Sequence, residues 1–254
     1  MLSEQASATT FWQGLKATYT GSVAFLVAHP LLALVPVVFE IAQHVVEVRI
    51  GLYASIAAAK ALEHDPWRMG FGFLKLVALM VPGYWIARFL AWHDAELTRR
   101  ADSCSMMLFG GYLAFGIVTA AVQLFVLPQT GSALLASLLA GQVIGCLLAG
   151  WGAAAALGNP MIGPFESIRI MARQLPWTFG FLLAAMLPLM IPHYVLGALA
   201  LIGPRPLLWP ALIVDALLVG WLTAVLVASA FVAAIRAAAR ADVPLVPPLP
   251  AYSL

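Results

Sequence analysis

The sequence predicts an all-α fold, a bundle of about six transmembrane helices within a single integral membrane domain over residues 1–254. Of its residues, 63% are hydrophobic and only 9% are charged, whereas a soluble domain carries roughly a quarter charged residues. A surface with so few charges must be solvated by lipid, so the lipid bilayer is the expected partner. The composition excludes a cytosolic enzyme, a secreted disulfide scaffold and a disordered chain, and the net charge of +2 gives no reason to expect nucleic acid.

Long uncharged stretches place the predicted spans. Each is long enough to cross the hydrocarbon core, which takes about 20 residues of helix. The uncharged run from Ser103 to Phe165 is too long for one crossing, and a turn-forming segment at 128–131 divides it. The predicted spans are the stretch between Lys16 and Glu40, about 70–91, 106–127, 132–156, the stretch between Arg173 and Arg205, and about 207–235.

Two short amphipathic segments are predicted to lie in the headgroup plane. They are 11–16, within an N-terminal region 1–20 that is cytoplasmic or interfacial, and 165–174, directly before the fifth span. In each, an aromatic residue comes first and a basic residue follows an aliphatic one, a pattern typical of interfacial helices. Residues 236–254 are predicted to form a proline-rich cytoplasmic tail, within which 243–250 is expected to be extended and not helical.

The distribution of Lys and Arg predicts the orientation. Cytoplasmic loops of membrane proteins carry an excess of basic residues. With six spans, the side that holds both termini has eight basic residues near the membrane and the opposite side has five. Both termini are therefore predicted to be cytoplasmic. The eight are Lys16, Arg88, Arg99, Arg100, Arg169, Arg173, Arg236 and Arg240, and the five are Arg49, Lys60, Arg68, Lys75 and Arg205.

The segment from Gly163 to Arg173 has the pattern Gly-x-Phe-x-Ser-Ile-Arg-x-x-x-Arg before a hydrophobic span. It resembles six-helix inner-membrane proteins of bacteria of the YciC type, and it is similar to the membrane domain attached to some glycerophosphodiester phosphodiesterases. The chain departs from that pattern at Pro176. The resemblance implies a six-helix fold in the bacterial inner membrane and brings no catalytic residues.

Ionisable residues within predicted spans are expensive to bury and are functional candidates by default. Six of them fall in the outer half of the predicted bundle, where they are expected to form a polar site for a cation, a proton or a polar headgroup. Asp215 stands out because it lies about two turns inside the last span and is too short to reach water. Its best predicted partner is Lys75, with His193 and His44 as alternatives. The six are Glu40, His44, Glu47, Lys75, His193 and Asp215.

A purely structural interpretation of the same residues stays open. Glu40 and Lys75 would then pair at the interface, while His44 and Glu47 would lie in headgroup water, since long polar side chains near helix ends commonly extend to the interface. His193, which follows a proline, would cap a frayed helix end.

Small residues line the fourth span. Gly141, Gly145, Gly150 and Gly152 favour close helix packing, within this bundle or, as the less favoured alternative, in a homodimer or with another membrane protein. The two cysteines, Cys104 and Cys146, are predicted to lie at different depths and to remain unpaired.

The leading functional hypothesis is a non-enzymatic inner-membrane protein without a cofactor, acting in the envelope through lipid handling, small-molecule transport or support of a partner. The alternative is a membrane-embedded metal or haem enzyme that uses the outer cluster. Its metal is left open, and haem would be held by His29 or His44 together with His193.

Overall fold

A computed structural model describes residues 10–99, 102–127 and 130–247 of the chain. Every regular element within these ranges is a helix, and six candidate spans are long and apolar enough to cross a membrane. The prediction of an all-α bundle with about six spans is confirmed. The spans are Pro30–Arg49, Pro66–Trp92, Ser103–Phe125, Gly131–Ala156, Leu175–Ile202 and Arg205–Arg240.

The helices are numbered here in chain order over the described ranges. They are α1 (Phe11–Ala28), α2 (Pro30–Arg49), α3 (Ile56–Ala61), α4 (Pro66–Met80), α5 (Gly83–Trp92), α6 (Ala95–Arg99), α7 (Ser103–Phe125), α8 (Gly131–Ala156), α9 (Pro164–Ala172), α10 (Leu175–Ile202) and α11 (Leu208–Arg240). Two 3₁₀ turns, Leu52–Ala54 and Arg205–Leu207, lie between them.

The first span begins later than predicted. The chain breaks at His29, and Pro30 opens α2, because proline lacks an N–H and suits the first turn of a helix. The helix with the length and apolarity of a span is therefore α2, and the placement of the first span between Lys16 and Glu40 is wrong. The predicted interfacial segment 11–16 is the start of α1, an 18-residue helix.

Helix α11 is the centre of the bundle. It packs against α1, α2, α5, α8 and α10, and 56% of its most apolar stretch is buried, against 6% for α7. Trp221 of α11 donates a hydrogen bond to Ser22 of α1 at 3.1 Å, and Tyr19 of α1 donates to the carbonyl of Ala185 in α10 at 2.7 Å. These contacts hold α1 against α10 and α11.

The two ends of the bundle are named by their connections. The distal half is the end at which α2 ends and α11 begins, and the terminal half is the end at which α1 begins and α11 ends. The largest apolar core lies in the terminal half, where the alanine-rich ends of α8 and α11 meet Met171 of α9 and Phe181 of α10. Small side chains allow this close approach of helices.

Helix α9 is the second predicted amphipathic segment, and it is a separate short helix as expected. Its Met171 and Ile170 are buried, while Phe165 and Ile168 are exposed. Ser167 fixes it to α8 by donating to the carbonyl of Leu147 at 2.7 Å. The exposed apolar face suits contact with lipid at the edge of the bundle.

The C-terminal region differs from the predicted tail in two ways. Helix α11 continues through residues 236–240, because the run of alanines there favours helix. Beyond it, Leu245 is buried against the main core, and the side chain of Asn159 donates to the carbonyls of Pro244 and Leu245 at 2.9 and 3.1 Å. Residues 248–254 of the predicted tail lie outside the described ranges.

The glycines of α8 divide into two groups. A Cβ at Gly152 would lie 2.7 Å from Tyr112 of α7, and one at Gly150 would lie 2.9 Å from Ser167 of α9, so these two pack inside the chain as predicted. Gly141 and Gly145 line an open crevice of about 430 Å³ between α4, α7 and α8. Cys104 and Cys146 are both free, as predicted.

Candidate functional site

Four helices of the distal half bring ionisable side chains into one row across the bundle. The row begins at His193 on α10, continues through Asp215 on α11 and the α2 side chains, and ends on α4. The α2 members are spaced at three- and four-residue intervals, which places them on one helical face. The polar row consists of His193, Asp215, His44, Glu40, Gln43, Glu47, Tyr53, Arg68 and Lys75.

Asp215 is the carboxylate that α11 contributes to the row. It is 2% exposed and lies roughly 10 Å along α11 from Leu208. One oxygen, Oδ1, is 2.7 Å from Nδ1 of His193, and the other, Oδ2, is 3.2 Å from Nε2 of His44. Among the described residues, no Lys or Arg lies within ion-pair distance of it. Both of its hydrogen-bonding partners in the described ranges are imidazoles.

His44 lies between two carboxylates. Its Nε2 faces Asp215, and its Nδ1 is 3.2 Å from Oε2 of Glu47 on the same helix. Nε2 is also 3.5 Å from Oε1 of Glu40, one turn away. His44 is 6% exposed, so its ring is held from both sides within the protein.

Glu40 pairs with Lys75. The ammonium of Lys75 lies 3.1 Å from Oε2 and 3.3 Å from Oε1 of this carboxylate. Glu40 is 1% exposed, whereas the Lys75 side chain is 19% exposed. The long lysine side chain thus covers a buried carboxylate from the partly exposed side of α4, which is how a buried charge is normally tolerated.

Glu47 has four partners in the row. Its Oε1 accepts hydrogen bonds from Gln43 at 3.0 Å and from Arg68 at 3.2 Å. Its Oε2 accepts one from the hydroxyl of Tyr53 at 2.9 Å and faces His44. Burial and the adjacent carboxylate of Glu47 raise the pKa of Tyr53 above its usual value, so this phenol stays a hydrogen-bond donor.

The structure brings together all six predicted site residues but pairs them differently. Lys75 was predicted as the first partner of Asp215, and that pairing is wrong because Lys75 binds the nearer carboxylate, Glu40. The two alternatives, His193 and His44, are the contacts of Asp215.

The structural interpretation is confirmed for the Glu40–Lys75 pair and contradicted elsewhere. His44 is buried instead of lying in headgroup water. Glu47 is likewise buried, at 4% exposure. His193 lies within α10, which continues to Ile202, so it caps no frayed end.

Three members of the row were missed by the sequence reasoning. Arg68 was counted only for orientation, and Gln43 and Tyr53 were not considered. The signal for Gln43 was present, because Glu40, Gln43, His44 and Glu47 follow the i, i+3, i+4, i+7 spacing of one helical face. Tyr53 lies in the connection after α2 and Arg68 lies in the first turn of α4, and the spacing within α2 predicts neither contact.

The charges of the row are unbalanced. Glu40 and Glu47 each have a permanent cation, Lys75 and Arg68 respectively, whereas Asp215 has none among the described residues. A neutral imidazole carries one N–H, whereas both ring nitrogens of His44 face carboxylates. A proton or another cation at Nε2 therefore balances the three carboxylates of the row and compensates their buried charge.

Haem does not fit between His44 and His193. The carboxylate of Asp215 bridges the two rings, with one oxygen on each, and it occupies the space between them. The other suggested histidine, His29, lies in the terminal half between the rings of Phe25 and Phe89, at centroid distances of 5.3 and 5.6 Å. A small ion fits the distal site, and a porphyrin does not.

In the comparisons with known proteins, no family model, curated protein or solved structure matches this chain. The resemblance of the segment 163–173 to the YciC type therefore stays a prediction, and the functional argument depends on the geometry of the site.

Proposed function

We propose that this chain is a non-enzymatic multi-pass protein of the bacterial inner membrane that transports a small cation through the polar row. Both termini lie in the cytoplasm in this proposal, so the distal half faces outward. Its physical basis is the set of six apolar helices with ionisable side chains inside four of them. Such residues within spans mark ion pathways.

One observation carries the proposal, namely the position of Asp215. It is a carboxylate at 2% exposure with no Lys or Arg partner among the described residues. A cation or a proton held between Asp215 and His44 supplies the missing charge. The row also has a partly exposed group at each of its two ends within the distal half, since the side chains of His193 and Arg68 are 24% and 32% exposed. A cation thus has polar groups to contact on its way to and from Asp215.

The experiment measures cation flux in proteoliposomes. Purified protein is reconstituted, and uptake of radioactive sodium, rubidium, calcium and zinc ions is followed together with the internal pH. We expect flux of one of these cations, and we expect Asp215→Asn to abolish it. Glu63→Gln is the control, because it removes an exposed carboxylate outside the row. The absence of any flux with the unaltered protein contradicts the proposal.

The second candidate is the membrane-embedded metalloenzyme. It is favoured by one specific observation: ligand atoms of Glu40, His44 and Asp215 lie within 4.8 Å of one another. Three protein ligands with an open fourth position are typical of catalytic zinc sites. Hydrolysis of a phospholipid by the purified, metal-loaded protein, lost in His44→Gln, would establish this function in place of transport.

A further inference from the structure

We infer that Glu40, His44 and Asp215 bind a divalent transition-metal ion of the zinc class. The inference rests on the proposed function and names its cation. The three side chains come from two helices, α2 and α11, and all three are buried. Their facing atoms are Oε1 of Glu40, Nε2 of His44 and Oδ2 of Asp215.

The two distances from the imidazole of His44 to the facing carboxylate oxygens match a tetrahedral zinc ion, and all three ligand atoms lie within 4.8 Å of one another. Zinc bonds of about 2.0–2.1 Å to nitrogen and oxygen at tetrahedral angles separate neighbouring ligand atoms by about 3.3–3.4 Å. In the structure, Nε2 of His44 lies 3.2 Å from Asp215 and 3.5 Å from Glu40. Only the carboxylate oxygens would have to adjust, since the two distances to the imidazole already suit a shared ion.

Two of the ligands are each oriented by a second contact on the side away from the shared position. His44 presents its second nitrogen, Nδ1, to Glu47 at 3.2 Å, and metal-binding histidines almost always donate this second N–H to a carboxylate or carbonyl. Asp215 presents its second oxygen, Oδ1, to His193 at 2.7 Å. Each contact orients the ligand and leaves the atom that faces the shared position available to a metal.

The third ligand, Glu40, is held by Lys75, whose ammonium donates to the facing atom, Oε1, at 3.3 Å. Oε2 of Glu40 is buried and receives no hydrogen bond of normal geometry from the described residues, although the Lys75 ammonium lies 3.1 Å away. This carboxylate is thus held by charge attraction alone at that oxygen. Lys75 competes with a metal for Glu40, so removing its charge should strengthen metal binding, whereas a purely structural ion pair gives no such effect.

The ligand types select the class of ion. Imidazole nitrogen with carboxylate oxygen suits zinc and its first-row neighbours, whereas calcium and magnesium take oxygen ligands alone. Three protein ligands leave the fourth tetrahedral position open, which keeps the ion exchangeable, and transport needs binding that is weak enough for release.

The experiment is equilibrium binding of zinc chloride to the purified, full-length protein in zwitterionic detergent. We expect one zinc ion per chain, and cobalt chloride in its place should give the intense visible absorption of a tetrahedral site. His44→Gln and Asp215→Asn should weaken zinc binding at least 100-fold, and Glu47→Gln should weaken it about 10-fold or more. His64→Gln and Glu63→Gln, at exposed positions of the neighbouring loop, should leave it unchanged.

Lys75→Met provides the test that does not depend on losing a ligand. It should tighten zinc binding about 10-fold or more by removing a positive charge beside the ion. The inference is overturned if the unaltered protein binds no zinc, if calcium or magnesium binds more tightly, or if Lys75→Met fails to tighten binding. Zinc binding without flux would retain this inference and reject the proposed transport, whereas flux of another cation without zinc binding would do the reverse.

Discussion

Arg88 in the terminal half and Asp215 in the distal half are both buried ionisable side chains within membrane-spanning segments, at 4% and 2% exposure. The guanidinium of Arg88 donates to the carbonyls of Ala156 and Leu97, each at 3.2 Å. It also lies over the ring of Trp92, 4.5 Å from its centroid. These partners come from α5, α8 and α6, so one side chain connects three helices.

The difference lies in the kind of partner. Arg88 is permanently charged, and most of its partners are backbone carbonyls and aromatic rings that cannot change charge. Asp215 contacts imidazoles, which can release a proton or bind a metal. A buried charge among fixed partners holds helices together, whereas a buried charge among exchangeable partners can take part in binding. The comparison favours a structural role for Arg88 and supports the proposal that Asp215 takes part in ligand binding.

The largest expected effect on stability is at Arg88. Arg88→Met leaves two buried carbonyls without their donor and should lower the free energy of unfolding by about 3 kcal/mol. Asp215→Asn keeps the size of the side chain and should cost about 1 kcal/mol. Thermal unfolding in detergent measures both. Arg173→Met, at an exposed arginine, is the control and should stay within about 0.5 kcal/mol. Equal losses for Arg88→Met and Asp215→Asn would contradict the distinction between a structural charge at Arg88 and a binding charge at Asp215.

The next prediction tests which carboxylate pairs with Lys75. Lys75→Met leaves Glu40 buried without its cation and should cost about 2 kcal/mol, and adding Glu40→Gln should recover most of that loss. Combining Lys75→Met with Asp215→Asn should instead give a smaller coupling, because these two side chains share no direct contact and are connected only through Glu40 and His44. A double-mutant cycle by thermal unfolding measures the two couplings. Coupling of Lys75 to Asp215 alone would restore the pairing predicted from sequence.

A smaller, pH-dependent effect belongs to the terminal half. Partial burial alone would raise the pKa of Asp102, but hydrogen bonds from the hydroxyl and backbone N–H of Ser105 and the charge of Arg88 outweigh it, so the pKa lies below its usual value. Asp102 therefore stabilises the fold above its unfolded pKa of about 3.9, and this contribution is lost as the pH falls through the lower folded value.

Asp102→Ala is the variant that measures this contribution. As the N-cap of α7, Asp102 should contribute about 1 kcal/mol at neutral pH. The difference in unfolding temperature between the unaltered protein and Asp102→Ala should stay constant from pH 7 to about pH 4 and shrink below that. A difference that shrinks at higher pH would contradict the lowered pKa.

The sequence could predict the positions of the apolar spans better than the pairing of the buried charges. Apolar length predicts spans, because every backbone polar group must be satisfied inside the segment, and five of the six spans were placed within a few residues. The first was misplaced because charge was taken to end a span. Glu40, His44 and Glu47 lie inside α2, where their partners compensate them.

Depth along each span also predicted that the distal ionisable residues would gather, but not how they would pair. Pairing depends on helix rotation and on which helices are neighbours, and neither follows from apolar length. Lys75 is on α4, which packs against α2, whereas Asp215 has α2 and α10 beside it. Lys75 therefore pairs with Glu40 on the neighbouring α2, and Asp215 contacts the histidines of α2 and α10.

Two glycines of α8 extend the comparison to packing. Gly152, in the terminal half, faces the ring of Tyr112, and an added Cβ would lie 2.7 Å from it. Gly152→Ala should therefore cost about 1–2 kcal/mol through overpacking. Gly145 borders the open crevice, where an added Cβ meets nothing within 4 Å. Gly145→Ala should raise stability by about 0.5–1 kcal/mol, because alanine favours helix over glycine. Both variants make the same chemical change in the same helix, so their difference in unfolding temperature measures packing alone. A loss at Gly145 as large as that at Gly152 would show that the crevice closes in the membrane and that both halves of the bundle are equally tight.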